Sequence, residues 1–397
     1  MSKRRYFRTA AAAAIMVLSV ALTFSIGFAD KMRPEIDVPY EPTHPSVVKA
    51  MLRLAGVGKG DVLYDLGCGD GRIVVAGVAE FGAARAVGID LDPQRLKEAD
   101  ERARSVGVEA KIRYVQGNIM EVDASPATVV SMYLLDSVNL MVRPKLFMEL
   151  QPGSRCVAHA FHMHDWKQDK IIQHPKARNN RISFWIIPAH LGGTWKWTTT
   201  TPGGAIQNSM TLNQTFQVVN GTISTDGRAG GALQSPYVYG KDFSFTANIN
   251  AKGQNVKVTY KGVADGNTIR GTQEWSNGQK HPWLASREAS NPMGSWDFTV
   301  NGPVNLSGTL KLQKKGRKIE ASYFVKGEGR DERIRDVYLW GDSVYFRLPM
   351  YGRERLAIFK GSLSGTAGSG KMAVITYDES GPFDFNYAYS WSANKTR

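Results

Sequence analysis

Two cysteines in 397 residues leave no basis for a disulfide framework, so the fold must be held by burial and hydrogen bonding alone. Acidic side chains are also in short supply: 36 Asp and Glu stand against 50 Lys and Arg, a formal net charge of +14. Such a balance favours acidic partners, whether an anionic membrane surface or nucleic acid. The basic residues are scattered, however, as in Lys167, Lys170, Lys176, Arg178 and Arg181, and no recognisable nucleic-acid motif gathers them. No nucleic-acid partner is expected. Nor is a metal site: His159, His162 and His164 lie near Asp165, but alternation along a strand would send them to different faces, with no cysteine nearby. Long apolar runs are missing everywhere except between Thr9 and Phe28.

What is present is concentrated in the run Asp61-Val-Leu-Tyr-Asp65-Leu-Gly67-Cys-Gly69-Asp70-Gly71-Arg72. An apolar strand runs into three glycines spaced by two, and the apolar stretch from Arg72 to Phe81 reads as a helix starting there. Glycine lets the backbone turn sharply and press against a ligand at the helix N-terminus. The spacing G-x-G-x-G is not the G-x-G-x-x-G of a dinucleotide site, and Asp65 stands where a pyrophosphate would be repelled. A carboxylate there suits a ligand carrying an ammonium group, such as the methionine end of S-adenosylmethionine. Asp90 closes the next strand, Ala86-Val-Gly-Ile-Asp90, 25 residues after Asp65, enough for one helix and one strand. It can accept both hydroxyls of a ribose, in charge-assisted bonds worth about 1.5–3 kcal/mol. Asp92 has a weaker claim to that role. A third strand-like run, Lys111 to Val115, ends in Gln116-Gly-Asn118-Ile119, where a side-chain amide and a backbone N–H could read an adenine edge.

With these residues in place, the segment from about 40 to 190 resembles a class I S-adenosylmethionine-dependent methyltransferase. The resemblance implies an α/β Rossmann-like, doubly wound sheet over residues 35–190 and a cofactor site of Asp65, Gly67, Gly69, Asp70, Gly71, Asp90, Leu91, Asn118 and Ile119. Asn118 departs from the pattern, since that family usually carries Asp there. More narrowly, four stretches are similar to a bacterial group related to the mitochondrial lysine methyltransferases of the ATP synthase c subunit. They are Tyr40-Glu-Pro-Thr43, the glycine turn, Val130 to Asn139, and His159-Ala-Phe-His-Met-His-Asp165-Trp166. That relation implies N-methylation of a protein lysine. Methyl transfer is an in-line displacement in which alignment and exclusion of water carry most of the catalysis. Tyr133, Asp136 and Asn139 follow the expected fourth strand, Thr128 to Leu135, at the sheet edge where a ligand belongs, and are the acceptor-side candidates. The Asn/Asp-Pro-Pro-Tyr signature of enzymes that methylate planar nitrogens is absent there.

The N-terminus, with Lys3, Arg4, Arg5 and Arg8 ahead of the apolar run and Gly27-Phe-Ala29 after it, reads as a signal peptide or membrane anchor over residues 1–29. The run is close to the roughly 20 residues that span a bilayer. Arg4-Arg5-Tyr6-Phe7 also resembles the twin-arginine export signature in part. The expected location is the periplasm or inner membrane, although the cytoplasmic supply of S-adenosylmethionine would favour an inward-facing domain.

After Pro188 composition shifts to Gly, Thr, Ser, Asn and aromatics in short alternating runs, an all-β pattern of antiparallel, barrel-like repeats over 191–290 and 291–397. Gly193-Thr-Trp195 recurs as Gly294-Ser-Trp296, Lys261-Gly262 as Lys360-Gly361, and Trp283-Leu-Ala285 as Trp391-Ser-Ala393. Each repeat is expected to hold six to eight strands in an up-and-down meander, similar to the lipocalin and avidin style of barrel, with the tryptophans structural. A rival reading keeps the first domain as a fold only and gives the function, binding of a ligand or partner, to the repeats of an exported protein.

Overall fold

The structure, a computed structural model, describes residues 39–287, 291–301, 306–315, 318–326, 331–334, 337–340, 342–350, 355–376 and 389–396. The expected signal or anchor segment lies outside the described residues, among which no helix is long and apolar enough to cross a membrane.

Helix α1 (Pro45–Leu54) starts with proline after a His44 cap and turns Val47, Val48, Met51 and Leu52 inward, the spacing of one helical face. Strand β1 (Val62–Leu66) follows, then α2 (Arg72–Ala79), β2 (Arg85–Asp90), α3 (Pro93–Ser105), β3 (Ile112–Gln116), β4 (Val129–Met132), α4 (Asp136–Glu149), β5 (Arg155–His159), β6 (Lys170–Ile172) and β7 (Ile182–Ile186). Asp92 caps α3 by accepting from Gln94 N at 2.8 Å, so its side chain is spent on the helix end. The strands form one sheet in the order β3-β2-β1-β4-β5-β7-β6, parallel except where β7 runs against β5 and β6. Its order reverses between β1 and β4, which opens a crevice at their carboxyl ends. That is the doubly wound architecture expected, with helix and strand limits shifted by a few residues.

One expectation fails here. The stretch His159 to Asp165 is not a strand: β5 ends at His159, and Ala160 (φ 67°) and His164 (φ 51°) adopt left-handed backbone that breaks the regular alternation of a strand. His159, His162 and His164 therefore do not alternate between the two faces of a strand.

Among the described residues the second half contains two sheets of nine strands each, more than the six to eight expected. The first holds β8 (Gly193–Thr201), β9 (Gly204–Thr215), β10 (Val218–Thr225), β11 (Arg228–Ala232), β12 (Gln234–Tyr239), β13 (Asp242–Ala251), β14 (Gln254–Asp265), β15 (Thr268–Trp275) and β16 (Lys280–Arg287). Its order is β11-β10-β9-β8-β16-β15-β14-β13-β12, all antiparallel, and β11 curls round to approach β13, so the sheet nearly closes into a barrel. The second repeats this with β17 (Gly294–Asn301), β18 (Ser307–Lys315), β19 (Lys318–Val325), β20 (Asp331–Ile334), β21 (Val337–Trp340), β22 (Ser343–Met350), β23 (Arg355–Ser364), β24 (Ala367–Thr376) and β25 (Tyr389–Thr396). Alternate residues point inward, so each barrel's interior is lined by its own aromatic and aliphatic side chains. Trp195 and Trp296 are both fully buried and both donate Nε1–H to a carbonyl four residues earlier, at 2.7 Å, a structural use that the two repeats share.

Candidate functional site

The crevice is floored by the glycine turn. Gly67 (φ 74°), Gly69 (φ 51°) and Gly71 (φ 73°) all take left-handed backbone. A methyl group at Gly67 would lie 2.9 Å from Leu134 Cδ2, and at Gly71 2.7 Å from Ala99 Cβ, so both positions demand glycine by space as well as by φ. The Gly67 and Cys68 N–H groups both donate to Ile89 O at 2.9 Å, and Gly69 N donates to Asp90 Oδ2 at 2.8 Å, which ties the turn to the end of β2. Asp90 Oδ1 also accepts from Asp92 N at 3.0 Å. Each Asp90 oxygen thus holds one backbone donor and keeps acceptor capacity for a ligand. Cys68 is buried, and burial pushes its thiol far up, so it packs as a small neutral residue.

Asp65 lies at the end of β1, 2 % exposed, and accepts from Ser131 Oγ of the neighbouring β4 at 2.7 Å. Burial pushes its carboxyl up to about 7; the Ser131 hydrogen bond opposes that rise, and the Asp90 and Asp70 charges add to it. A buried carboxylate in this state is poised to gain a cation. Asp70 behaves differently. Arg72 grips it with Nε at 2.8 Å and Nη2 at 2.6 Å, and Arg102 adds Nη2 at 2.6 Å, while Arg102 Nε reaches the Asp70 carbonyl at 2.9 Å. Burial works to raise its carboxyl, but the arginines outweigh it and hold it below the usual range. Its side chain is committed to bracing the turn, contrary to the expectation that it faces a cofactor.

On the far side of the crevice, Leu91 is 65 % exposed directly after Asp90, an apolar side chain left facing solvent beside Asp90. Asn118 and Ile119 are half-buried at the end of β3. Asn118 Oδ1 accepts from Met120 N at 2.9 Å and its carbonyl from Glu121 N at 2.8 Å, a local turn that fixes the amide and leaves its NH₂ to donate.

The acceptor-side candidates gather where β4 and β5 end. The Tyr133 ring lies 3.9 Å from the His159 ring and 6.0 Å from that of Phe161, making an aromatic wall. His159 Nε2 accepts from Arg178 N at 2.9 Å, which fixes the neutral tautomer with Nδ1–H donating to Thr43 Oγ1 at 3.2 Å. Arg72 Nη1 in turn donates to Thr43 O at 2.8 Å, linking that wall to the glycine turn. Asp136 opens α4, and its Oδ1 takes both His162 N (2.9 Å) and His162 Nδ1 (3.2 Å). Asn139 is fully buried one turn on; its Nδ2 donates to His162 O at 3.4 Å, while Oδ1 has no hydrogen-bond partner among the described residues.

Behind this loop, buried Arg143 pairs with Asp165 and donates to Met163 O at 2.8 Å, and Lys360 from the second barrel reaches Asp165 at 3.4 Å. Trp166, fully buried, stacks on Phe216 of the first barrel with ring centroids 4.9 Å apart. None of Ser131, Arg102 or Arg143 was expected at the site. Ser131 was visible as the one polar residue inside the apolar β4; the other two carry no local signal.

Comparison with known proteins places this crevice in context. Residues 65–170 match the ANTKMT methyltransferase domain family. The chain is 42% identical over 154 residues to a protein-lysine N-methyltransferase of Saccharolobus islandicus (strain REY15A), spanning 38% of this chain and 96% of that protein. It is 30% identical over 166 residues to the adenine nucleotide translocase lysine N-methyltransferase of Mus musculus, spanning 42% of this chain and 71% of that one. A crystal structure of an RNA methyltransferase from Salinibacter ruber in complex with S-adenosyl-L-homocysteine is 44% identical, with 38% of this chain and 96% of that chain covered and a TM-score of 0.37.

Proposed function

The chain belongs to the ANTKMT methyltransferase domain family of S-adenosylmethionine-dependent methyltransferases, and from that premise we propose that it methylates the side-chain amine of a protein lysine. The observation that carries the choice of acceptor is the 42% identity to a protein-lysine N-methyltransferase across nearly the whole of that relative.

S-Adenosylmethionine, when bound, supplies a methyl group on a sulfonium, a good leaving group. The chain's part is to hold both reactants in line and dry. Asp65 would receive the ammonium end, its burial compensated by that charge. The glycine turn gives the backbone close approach, and Asp90 accepts from the ribose hydroxyls with the lone pairs that Gly69 N and Asp92 N leave it. Leu91 and Ile119 would cover the two faces of the adenine, and the Asn118 amide would donate to its edge. On the acceptor side, Tyr133 offers an aromatic face to an incoming ammonium. The Asn139 Oδ1 acceptor and the Asp136 carboxylate would orient the lysine amine and help it lose its proton before transfer.

Residues 1–29 would serve as an export signal or anchor, with the positive cluster from Lys3 to Arg8 kept on the cytoplasmic side.

The test is incubation of the chain with methyl-labelled S-adenosylmethionine and a cellular protein extract, followed by acid hydrolysis and mass spectrometry. Label in Nε-methyllysine is the expected result. Label confined to RNA, or to amino acids other than lysine, would reject the acceptor, and no heat on calorimetric titration with S-adenosylhomocysteine would reject the site itself.

A further inference from the structure

The two barrels supply an internal comparison, because their strands share one register. Gly193 pairs with Leu212 and Gly294 with Leu312; Gly262 pairs with Gly271 and Gly361 with Gly370; Phe245 pairs with Tyr260 and Phe346 with Phe359. Following that register inward, the first barrel carries Trp197, Thr199, Tyr260 and Gln273 where the second carries Phe298, Val300, Phe359 and Met372. Packing is otherwise preserved: Phe245 stacks on Tyr260 at 4.5 Å and Phe346 stacks on Phe359 at 4.5 Å. The second barrel, whose core also buries Tyr323, closes with all four of these positions apolar. The polar groups inside the first are therefore an addition that carries a desolvation cost.

Part of that addition is satisfied internally. Gln273 Nε2 donates to Thr199 Oγ1 at 2.9 Å and to Pro282 O at 3.0 Å, and Asn208 Nδ2 donates to Thr199 Oγ1 at 3.1 Å. Other groups are not: Trp275 Nε1 and His281 Nε2, whose rings pair at 4.8 Å, and three that pack together elsewhere in the barrel. Trp197 Nε1, Trp283 Nε1 and the Tyr260 hydroxyl are buried with no hydrogen-bond partner among the described residues. Their rings lie 5.2 to 6.0 Å from one another. Trp391, the counterpart of Trp283, does find an acceptor, donating to Lys360 O at 3.2 Å. All three clustered groups are donors, and burial raises the Tyr260 phenol so that it keeps its proton. The buried polar side chains of the same barrel, Thr199, Asn208, Thr225 and Gln273, are uncharged.

We propose that the interior of the first barrel is a binding site for a neutral, largely apolar small molecule bearing a carbonyl or similar acceptor oxygen, held by the Trp197 and Trp283 indole N–H groups and the Tyr260 hydroxyl. Entry is through the seam between β11 and β12, the two end strands of the sheet, which do not hydrogen-bond to each other. Both are irregular: the pairing of β10 with β11 shifts register after Ile223, and that of β12 with β13 between Gln234 and Tyr237.

The experiment titrates the full chain, ¹⁵N-labelled at tryptophan, with 1-tetralone and with tetralin, which has the same carbon skeleton and no acceptor. Expected are shifts of the Trp197 and Trp283 indole N–H resonances with tetralone, and an affinity at least about tenfold tighter than for tetralin. The double variant Trp197→Phe/Tyr260→Phe installs the residues that the second barrel already folds with, and should abolish that preference. No indole shift up to the solubility of either probe overturns the proposal, as does equal affinity for the two probes in the unsubstituted chain. A preference that survives in the double variant overturns it too.

Discussion

Asp65 makes cofactor affinity a function of pH. Its carboxyl, titrating at about 7 in the cofactor-free chain, must be ionised to hold an ammonium group, so binding below that pH expels a proton. Under this linkage the dissociation constant rises about tenfold for each pH unit below 7, so between pH 7.5 and pH 5 affinity should fall by about a hundredfold. S-Adenosylhomocysteine is the ligand to use, since it carries the same ammonium and is not consumed. Calorimetry in two buffers of different ionisation enthalpy reads the expelled proton directly. Asp65→Asn keeps an oxygen for Ser131 Oγ, which now donates 2.7 Å to the carboxylate, and removes the charge. Loss of the charge-assisted bond, about 1.5–3 kcal/mol, weakens binding at pH 7.5 by about 10- to 150-fold, and the pH slope should vanish. A wild-type affinity that is flat over this range, or a slope that persists in Asp65→Asn, would refute the reasoning.

Without cofactor the same group destabilises the fold at high pH: a carboxyl raised in the folded state contributes stability that is lost as pH rises through about 7, so Asp65→Asn should unfold at a higher temperature than the parent chain at pH 8. Gly71→Ala forces a Cβ to within 2.7 Å of Ala99 Cβ at a φ of 73° and should cost about 1–3 kcal/mol in urea unfolding. Asp165→Asn removes the charge that faces buried Arg143 while keeping an acceptor oxygen, and because Asp165 itself is exposed a loss of about 1–2 kcal/mol is expected by the same measurement. Asp136→Asn should slow methyl transfer by about a hundredfold while leaving S-adenosylhomocysteine affinity unchanged, and a parallel loss of affinity would assign Asp136 to the cofactor instead.

The glycine turn, the acidic end of β2 and the order of alternating strands and helices were legible because each is a local pattern: three glycines at fixed spacing, or an apolar run closed by a carboxylate. Contacts between distant segments were not. Nothing in the chain near Asp65 announces Ser131, 66 residues away, and nothing near Thr43 announces His159. Asp70 was expected at a cofactor because the family resemblance implied it, whereas its neighbour Arg72 and the remote Arg102 claim it. The barrels came out at nine strands because β11, Arg-Ala-Gly-Gly-Ala, has no apolar alternation to read. The tryptophans were legible as structural landmarks, but which of them would lack a partner depended on the register of both barrels.

In each barrel the first strand pairs with the last: Lys196 lies opposite Ser286, and Val300 opposite Trp391, about ninety residues apart in both cases. Hairpins within a repeat can zip locally, but neither barrel has its final shape until the strand that completes it has been made and has found a partner at the opposite end of the repeat. The entropy of closing such a long segment falls on the final step, so barrel closure is slow by contact order. Because Phe216 and Lys360 brace the loop behind the crevice from one barrel each, that slow step also governs when the methyltransferase loop acquires its rigid backing during synthesis.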